Sequence, residues 1–156
     1  MAEIQAVLRL LEQFESLMHE IYELLGGAFA DDSEVSAVFS KLAFEERSHL
    51  GEVQFLRRLT RQNTAQFADV DVDLEAVQRE VTQLEKVRCA APNLSLHEAL
   101  IIAMEFERGV AEVHSRRAIA EANPDLARLL ASLQAGDERH HETLLELARK
   151  RGLKSL

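Results

Sequence analysis

The stretch FESLMHEIY at residues 14–22 returns in altered form as FERGVAEVH at residues 106–114, an offset of 92 positions. At the same offset, EERSH at residues 45–49 is matched by DERHH at residues 137–141. Each half of the chain therefore carries a glutamate and, 31 residues later, the glutamate of a Glu-x-x-His motif. A match of both pieces at one offset indicates an internal repeat, which we interpret as two similar helical hairpins.

The composition indicates long helices with few turns. The 156 residues include only 6 glycines and 2 prolines, the residue types on which tight turns depend. Tryptophan is absent, and leucine, alanine and glutamate are abundant. These features argue against a sandwich, a barrel or an alternating α/β protein. The length is typical of one domain, which we expect to span residues 1–156.

Local signals mark the ends of four long helices. Gly26 and Gly27 form a C-terminal signal for the first helix. Ser95 with Glu98 forms a capping box that begins the third helix, and Asn123 is placed to cap the fourth. The expected long helices cover about residues 2–25, 33–61, 95–122 and 124–151.

The connection between the hairpins decides the class of bundle. The two hairpins cover about residues 2–61 and 94–151, and their short internal turns make the paired helices antiparallel. Residues 62–93 contain a shorter amphipathic helix at about residues 74–89 and are long enough to cross the bundle. The sequence therefore predicts an all-α protein, a four-helix bundle with one long crossover, which is the ferritin-like arrangement.

Apolar residues at alternating steps of three and four mark the buried face of each long helix. On the first helix this face consists of Ile4, Leu8, Leu11, Glu15, Met18, Tyr22 and Leu25. On the second it consists of Phe39, Leu42, Glu46, His49, Val53 and Leu56. On the third it consists of Leu96, Leu100, Ala103, Glu107, Val110, His114 and Arg117. On the fourth it consists of Ala131, Gln134, Glu138, His141, Leu145 and Ala148.

Every long helix thus places a carboxylate in its apolar face, and two of them add a histidine. The candidate metal ligands are Glu15, Glu46, His49, Glu107, Glu138 and His141. Four unpaired buried carboxylates are not tolerated in a core, and two divalent cations supply the matching charge. Imidazole and carboxylate ligands without thiolate favour iron or manganese over structural zinc. One Glu-x-x-His alone is usually a coincidence, and a purely structural helical module stays an alternative.

These residues resemble the ligand pattern of the ferritin-like superfamily, most closely the rubrerythrin-like proteins and next the bacterioferritins. The resemblance covers nearly the whole chain and implies two iron ions, with manganese or a mixed pair left open. It implies that Glu46 and Glu138 bridge the metals. It further implies that Glu15 with His49, and Glu107 with His141, each hold one metal. Tyr22 is similar to the family's tyrosine that hydrogen-bonds a ligand carboxylate.

The chain also departs from the family pattern. Rubrerythrins carry an extra glutamate one turn beyond the third-helix glutamate, where this chain has Val110 and Ala111. Glu112 lies five residues beyond Glu107, at a poorer angle. His114 replaces the tyrosine expected from the repeat and is a candidate extra ligand or proton relay. Arg47 stands where bacterioferritins have their haem-ligating methionine, so no haem is expected.

Several features bear on partners. A single cysteine excludes a rubredoxin module within this chain, so a separate, rubredoxin-like electron donor is implied. The net charge of −9 argues against nucleic acid. The longest apolar run is too short to cross a membrane, so we expect a cytoplasmic protein. The chain ends soon after the fourth helix, and Phe55 lies toward a helix end, which together favour a homodimer over a storage shell.

The resemblance implies a di-iron oxidoreductase that reduces hydrogen peroxide, or O₂, in iron and oxidative-stress handling. Two alternatives use the same ligands. One is a ferroxidase or iron-binding ferritin-like protein, and the other is a di-iron hydroxylase of a small organic substrate. Reactivity of the reduced protein with peroxide and with O₂ separates the first from the others, whereas uptake of many irons per subunit indicates storage.

Overall fold

The computed structural model describes residues 1–153, and at Val110 the backbone alone. Six α-helices and three short 3₁₀ turns account for most of this part of the chain. The helices are α1 Ile4–Ala28, α2 Ser33–Gln62, α3 Leu74–Ala90, α4 Leu96–Glu107, α5 Val110–Ala122 and α6 Ala127–Lys150. The all-α fold class is confirmed, with α4 and α5 together forming the third long member of a four-helix bundle.

The first hairpin pairs α1 with α2 through a turn at residues 29–32. Asp32 caps α2, because its carboxylate accepts the Val35 N–H at 3.2 Å. The prediction that Gly26 and Gly27 end the first helix is wrong, since α1 continues to Ala28. Gly26 instead permits close packing of the two helices: a Cβ there would lie 3.0 Å from the Ser40 hydroxyl oxygen of α2.

The crossover contains α3, which packs along α1. Asp73 caps α3 by accepting the Ala76 N–H at 3.0 Å. Residues at the crossover's start are tied to the rest of the chain, because Ala2 and Val70 form an isolated β-bridge. Asn123 does not cap the fourth helix as expected. Its side-chain oxygen accepts the Ala68 N–H at 2.9 Å, and α6 begins after a 3₁₀ turn.

The third long helix begins with the predicted Ser95–Glu98 capping box, but it is not continuous. Arg108 and Gly109 interrupt it, and Gly109 has a non-helical ψ of 114°. The Gly109 N–H donates to the Phe106 carbonyl at 2.9 Å, which closes the last turn of α4. A new helix, α5, then begins at Val110 with its own rotational phase about the helix axis.

The apolar core has two parts on either side of a polar layer. One part, toward the α1–α2 turn, includes the buried side chains of Tyr22, Phe39 and Leu100. The other, toward the opposite end of the bundle, includes Leu8 and Leu133. Between the two lies the polar layer, which the fold encloses between apolar side chains and which consists of the buried residues Glu15, Glu46, His49, Glu107, Glu112, Arg116, Asp137 and His140.

The outer surface gives two further observations. Among the described residues, no helix combines the length and the apolar character needed to cross a membrane. Phe44 and Phe55 on α2 expose 75% and 48% of their surface. The homodimer stays a prediction that these side chains are placed to support.

Candidate metal centre

The first hairpin brings Glu15, Glu46 and His49 together in the polar layer. All three are buried, because they lie on the apolar faces predicted for α1 and α2. The His49 Nδ1 atom lies 3.3 Å from Glu46 Oε2 and 3.9 Å from Glu15 Oε2. These contacts place one imidazole between two carboxylates.

The fourth helix contributes Asp137 and His140 rather than Glu138 and His141. Asp137 Oδ1 lies 3.6 Å from His49 Nδ1, and the His140 Nδ1–H donates to Glu46 Oε1 at 3.0 Å. Glu138 is exposed and accepts a hydrogen bond from the Gln134 amide, while His141 is only half-buried. The residues predicted from the sequence, Glu138 and His141, therefore lie one position, or about 100° of helix rotation, away from the buried face.

Large aliphatic residues fix the phase of α6. Its buried face consists of Leu130, Leu133, Gly136, Asp137, His140, Leu144, Leu147 and Ala148. The predicted face contained Ala131 and Gln134 instead of leucines, a weaker apolar pattern that could have signalled the error. The fixed offset of 92 concealed it, because Glu107 and Asp137 are separated by 30 residues whereas Glu15 and Glu46 are separated by 31.

The third long helix supplies Glu107 from the last residue of α4. This carboxylate is buried, and it accepts a hydrogen bond from the Tyr22 hydroxyl across the bundle. Glu107 Oε1 also lies 3.4 Å from His140 Nδ1. The second half of the site thus groups one carboxylate, one imidazole and one phenol.

Because the third long helix is interrupted, the predicted site residue His114 does not lie in the polar layer. His114 is exposed and lines an outer cavity of about 550 Å³ between α3 and α5. Glu112 and Arg116 are buried in the polar layer instead. The new helix after Gly109 has a different phase, so His114 and Arg117 of the predicted face are exposed, while the Val110 side chain lies outside the described part of the chain. Gly109 is the sequence signal that could have revealed this change.

Arg116 joins three carboxylates of the layer. Its guanidinium forms ion pairs with Glu112 and Asp137, and its Nη2 lies 2.9 Å from Glu15 Oε1. The buried faces predicted from the sequence contain no lysine in their middle, and their one arginine, Arg117, lies near an end. Arg116 is nevertheless 4% exposed, and its charge partly balances the surrounding acids.

A glycine makes room for the two stacked imidazoles. The rings of His49 and His140 have centroids 5.0 Å apart and an interplanar angle of 22°. Gly136 on α6 lies directly against this stack, because a Cβ there would be only 2.3 Å from His49 Nε2. The absence of a side chain at this position therefore allows α6 to approach α2 at the level of the histidines.

Burial and mutual repulsion raise the pKa values of three glutamates in the polar layer. Burial raises the pKa of Glu15 and Glu107 well above the ordinary value, and the negative charge of Glu46 raises both further. Burial also raises the pKa of Glu112 to about 8, although Arg116 opposes this shift. These carboxyls consequently retain protons at a pH where exposed glutamates are ionised.

The pKa values of Glu46 and His140 are both shifted toward the charged form of the group. Burial opposes ionisation of Glu46, but the hydrogen bond and charge of His140, together with the other neighbouring donors, outweigh it and hold the pKa of Glu46 below its ordinary value. Burial likewise opposes protonation of His140, yet its hydrogen bonds to Glu107 and Glu46 raise the pKa to about 10. Without metal, the pair is therefore an imidazolium and a carboxylate.

The donor set fits a metal ion. One ligand atom from each of Glu46, His49, Asp137 and His140 lies within 4.8 Å of the others. Glu46 Oε2 and His49 Nδ1 are buried without a hydrogen-bond partner among the described residues, an arrangement that costs free energy unless a further group binds there. With all acids ionised, five buried carboxylates and Arg116 leave a formal charge of −4, which two divalent ions would neutralise.

Comparison with known proteins gave one family match. The family model for rubrerythrin matches residues 12–148, which include every residue of the polar layer. Comparisons with curated proteins and with solved structures gave no match.

Proposed function

The chain belongs to the rubrerythrin family, and from this premise we propose that it is a di-iron oxidoreductase that reduces hydrogen peroxide. The observation that carries the proposal is the buried layer of mixed carboxylate and imidazole donors, in which Glu46 Oε2 and His49 Nδ1 have no hydrogen-bond partner within the described part of the chain. A pair of irons bound there supplies the two electrons that reduction of peroxide to water requires.

Two groups of residues in the polar layer would hold the metal ions. Glu46, His49, Asp137 and His140 would provide the shared donor group, since their ligand atoms already converge. The carboxylates of Glu15, Glu107 and Glu112 border this group and would supply the remaining oxygen ligands. Oxygen and nitrogen donors of this kind suit iron and manganese.

Neighbouring side chains orient the ligands. The Tyr22 hydroxyl donates to Glu107, which fixes the direction of that carboxylate. The His140 Nε2–H donates to Glu45 Oε2 at 2.9 Å, which leaves Nδ1 directed at the centre. The Glu45 side chain is 35% exposed, so it connects His140 to solvent and provides a route for the protons that peroxide reduction consumes.

The apolar layers above and below exclude bulk water from the centre. The 156 residues contain one cysteine, so they cannot form the four-cysteine iron site of a rubredoxin, and we propose that electrons for repeated turnover come from a donor outside them. Such a donor has to approach the bundle surface, since the layer itself is buried. A rubredoxin-like protein is the donor class that the family relationship favours.

Stopped-flow absorbance of the anaerobically reduced, iron-loaded protein tests the proposed function. We expect peroxide to oxidise the ferrous centre at least about tenfold faster than O₂ at equal concentration, with metal-free protein as the control. Faster oxidation by O₂, or uptake of many irons per subunit, would contradict peroxide reduction and favour the ferroxidase alternative. Metal analysis of the purified protein establishes which metal it carries.

A further inference from the structure

We propose that Arg116 acts as a built-in cation on one side of the centre, so that the two metal ions bind with unequal affinity. The first ion binds at Glu46, His49, Asp137 and His140. The second has to displace the guanidinium from the carboxylates that it holds. This inference rests on the proposed function only in that it requires the centre to bind metal.

The ion pairs of Arg116 define one side of the layer. Its guanidinium contacts Glu15 at 2.9 Å and also pairs with Glu112 and Asp137. The three carboxylates come from α1, α5 and α6, so the guanidinium lies between three different helices. Carboxylates that converge on one point from separate helices are the arrangement that a metal ion of this class uses.

The imidazoles define the other side. Glu46 contacts His49 and His140, and these donor atoms converge with Asp137. Asp137 is shared between the two sides, because its Oδ1 faces His49 while its Oδ2 pairs with Arg116. Glu15 also lies between the sides, with Oε2 at 3.9 Å from His49 Nδ1 and Oε1 paired with Arg116. The polar layer therefore contains an imidazole-rich half with unpartnered atoms and a carboxylate half already paired with a cation.

The guanidinium competes with a metal ion and cannot withdraw by losing its proton. Arginine stays protonated in proteins, and the acids around Arg116 raise its pKa further despite burial. A second metal ion can therefore reach the Glu15 and Glu112 oxygens that pair with Arg116 only if the side chain of Arg116 moves. Separating buried ion pairs is costly, so the second ion binds more weakly than the first.

Metal titration of the metal-free protein tests this inference. Calorimetric titration with Mn²⁺ should show one tight site and a second site at least about tenfold weaker in the natural protein, a difference of about 1.4 kcal/mol. In Arg116→Met, which keeps similar length without the charge, the second affinity should rise about tenfold or more. Arg117→Met is the matched control, because the Arg117 side chain is exposed and, among the described residues, forms its ion pair with Glu121.

Electron paramagnetic resonance at one equivalent of Mn²⁺ gives a second readout. The natural protein should show isolated ions, whereas Arg116→Met should show spin-coupled pairs. If Arg116→Met does not fold by circular dichroism, Arg116→Lys serves instead, because its single ammonium cannot bridge three carboxylates as a guanidinium does. Lysine should raise the second affinity by a smaller factor.

The inference alone would be overturned if the natural protein bound two ions with equal affinity. It would also be overturned if the Arg116 variants bound the second ion with the same affinity as the natural protein. No metal binding in any variant would overturn both the inference and the proposed function. Unequal binding without any reaction with peroxide would support the inference and count against peroxide reduction.

Discussion

Asp137 and Glu138 are adjacent acids with opposite environments. Asp137 is buried against His49 and Arg116, while Glu138 faces solvent. We expect Asp137→Asn to weaken Mn²⁺ or Fe²⁺ binding by at least about tenfold, because an amide carries no negative charge for the cation and second-sphere or ligand changes in metal sites have effects of this order. Equilibrium titration measures the change.

Glu138→Gln is the matched control for this prediction and should leave metal affinity unchanged. The adjacent histidines differ in the same way, because His140 is buried in the polar layer whereas His141 is half-buried. A greater loss of affinity in Glu138→Gln than in Asp137→Asn would contradict the assignment of Asp137 as a ligand.

Gly136 is the glycine at which an added Cβ would be most crowded among those described. An alanine Cβ there would lie 2.3 Å from His49 Nε2, so the ring or the helix has to shift. We expect Gly136→Ala to lower the free energy of unfolding by about 1–3 kcal/mol, the usual cost of overpacking, and to weaken metal binding through His49. Urea unfolding monitored by circular dichroism gives the first quantity.

Gly51→Ala is the control for this substitution, because Gly51 lies in α2 with nothing within 4 Å of an added Cβ. Alanine there should raise the free energy of unfolding by about 0.5–1 kcal/mol through its greater helix propensity. If Gly136→Ala were equally stabilising, the close approach of α6 to His49 would be disproved.

At the scale of elements, the start of α5 decides which side chains enter the centre. Its N-cap, Gly109, has no side chain to accept the first N–H groups. Glu80 of α3 performs this role from outside the hairpin, accepting the Ala111 N–H at 3.0 Å. Gly109 also allows the carboxylate to approach, since a Cβ there would lie 3.1 Å from Glu80 Oε2. The crossover helix thus stabilises the phase of α5.

Glu80→Ala should therefore loosen the first turn of α5, because it removes an accepting carboxylate from a helix N-terminus. The expected loss is about 1 kcal/mol, typical of a lost helix cap. Faster amide hydrogen exchange at Ala111 measures it, with Glu85→Ala, an exposed position on the same helix, as control. Unchanged protection at Ala111 in Glu80→Ala would show that the cap has no stabilising effect.

At the scale of the whole molecule, the buried acids make stability depend on pH and metal. In metal-free protein the pKa of Glu112 is raised by burial to about 8, and burial raises those of Glu15 and Glu107 in the same direction. The folded state therefore binds more protons than the unfolded state above the ordinary glutamate pKa. Stability should fall as pH rises from about 5 to about 8.

His140 acts in the same direction, because hydrogen bonds to Glu107 and Glu46 raise its folded pKa to about 10. Its stabilising contribution is complete below the ordinary histidine pKa and is lost as pH rises through about 10. Urea unfolding across this range checks the slope. Saturating Mn²⁺ should reverse it, because metal binds the deprotonated ligands. Rising stability of the metal-free protein toward pH 8 would contradict these protonation states.

Much of the architecture follows from local signals that are independent of distant contacts. The low content of glycine and proline, the Ser95–Glu98 capping box and the apolar faces of the first two helices predict the long helices of the bundle. Glu15, Glu46, His49 and Glu107 lie on strongly apolar faces, so their burial could be predicted from spacing alone. The rubrerythrin family model matches residues 12–148, a range that includes these four residues.

The rotational phase of each helix decides which other residues enter the centre. Packing between helices sets this phase, and the local sequence does not. Leucines on α6 turn Asp137 and His140 inward in place of Glu138 and His141. The break at Gly109, held by Glu80 from another helix, turns Glu112 and Arg116 inward in place of His114. A rotation of one residue is about 100°, enough to exchange a ligand for a solvated side chain. The sequence alone determined the long members of the bundle and the presence of buried carboxylates and imidazoles, whereas the tertiary structure decided which acids meet and that an arginine lies among them.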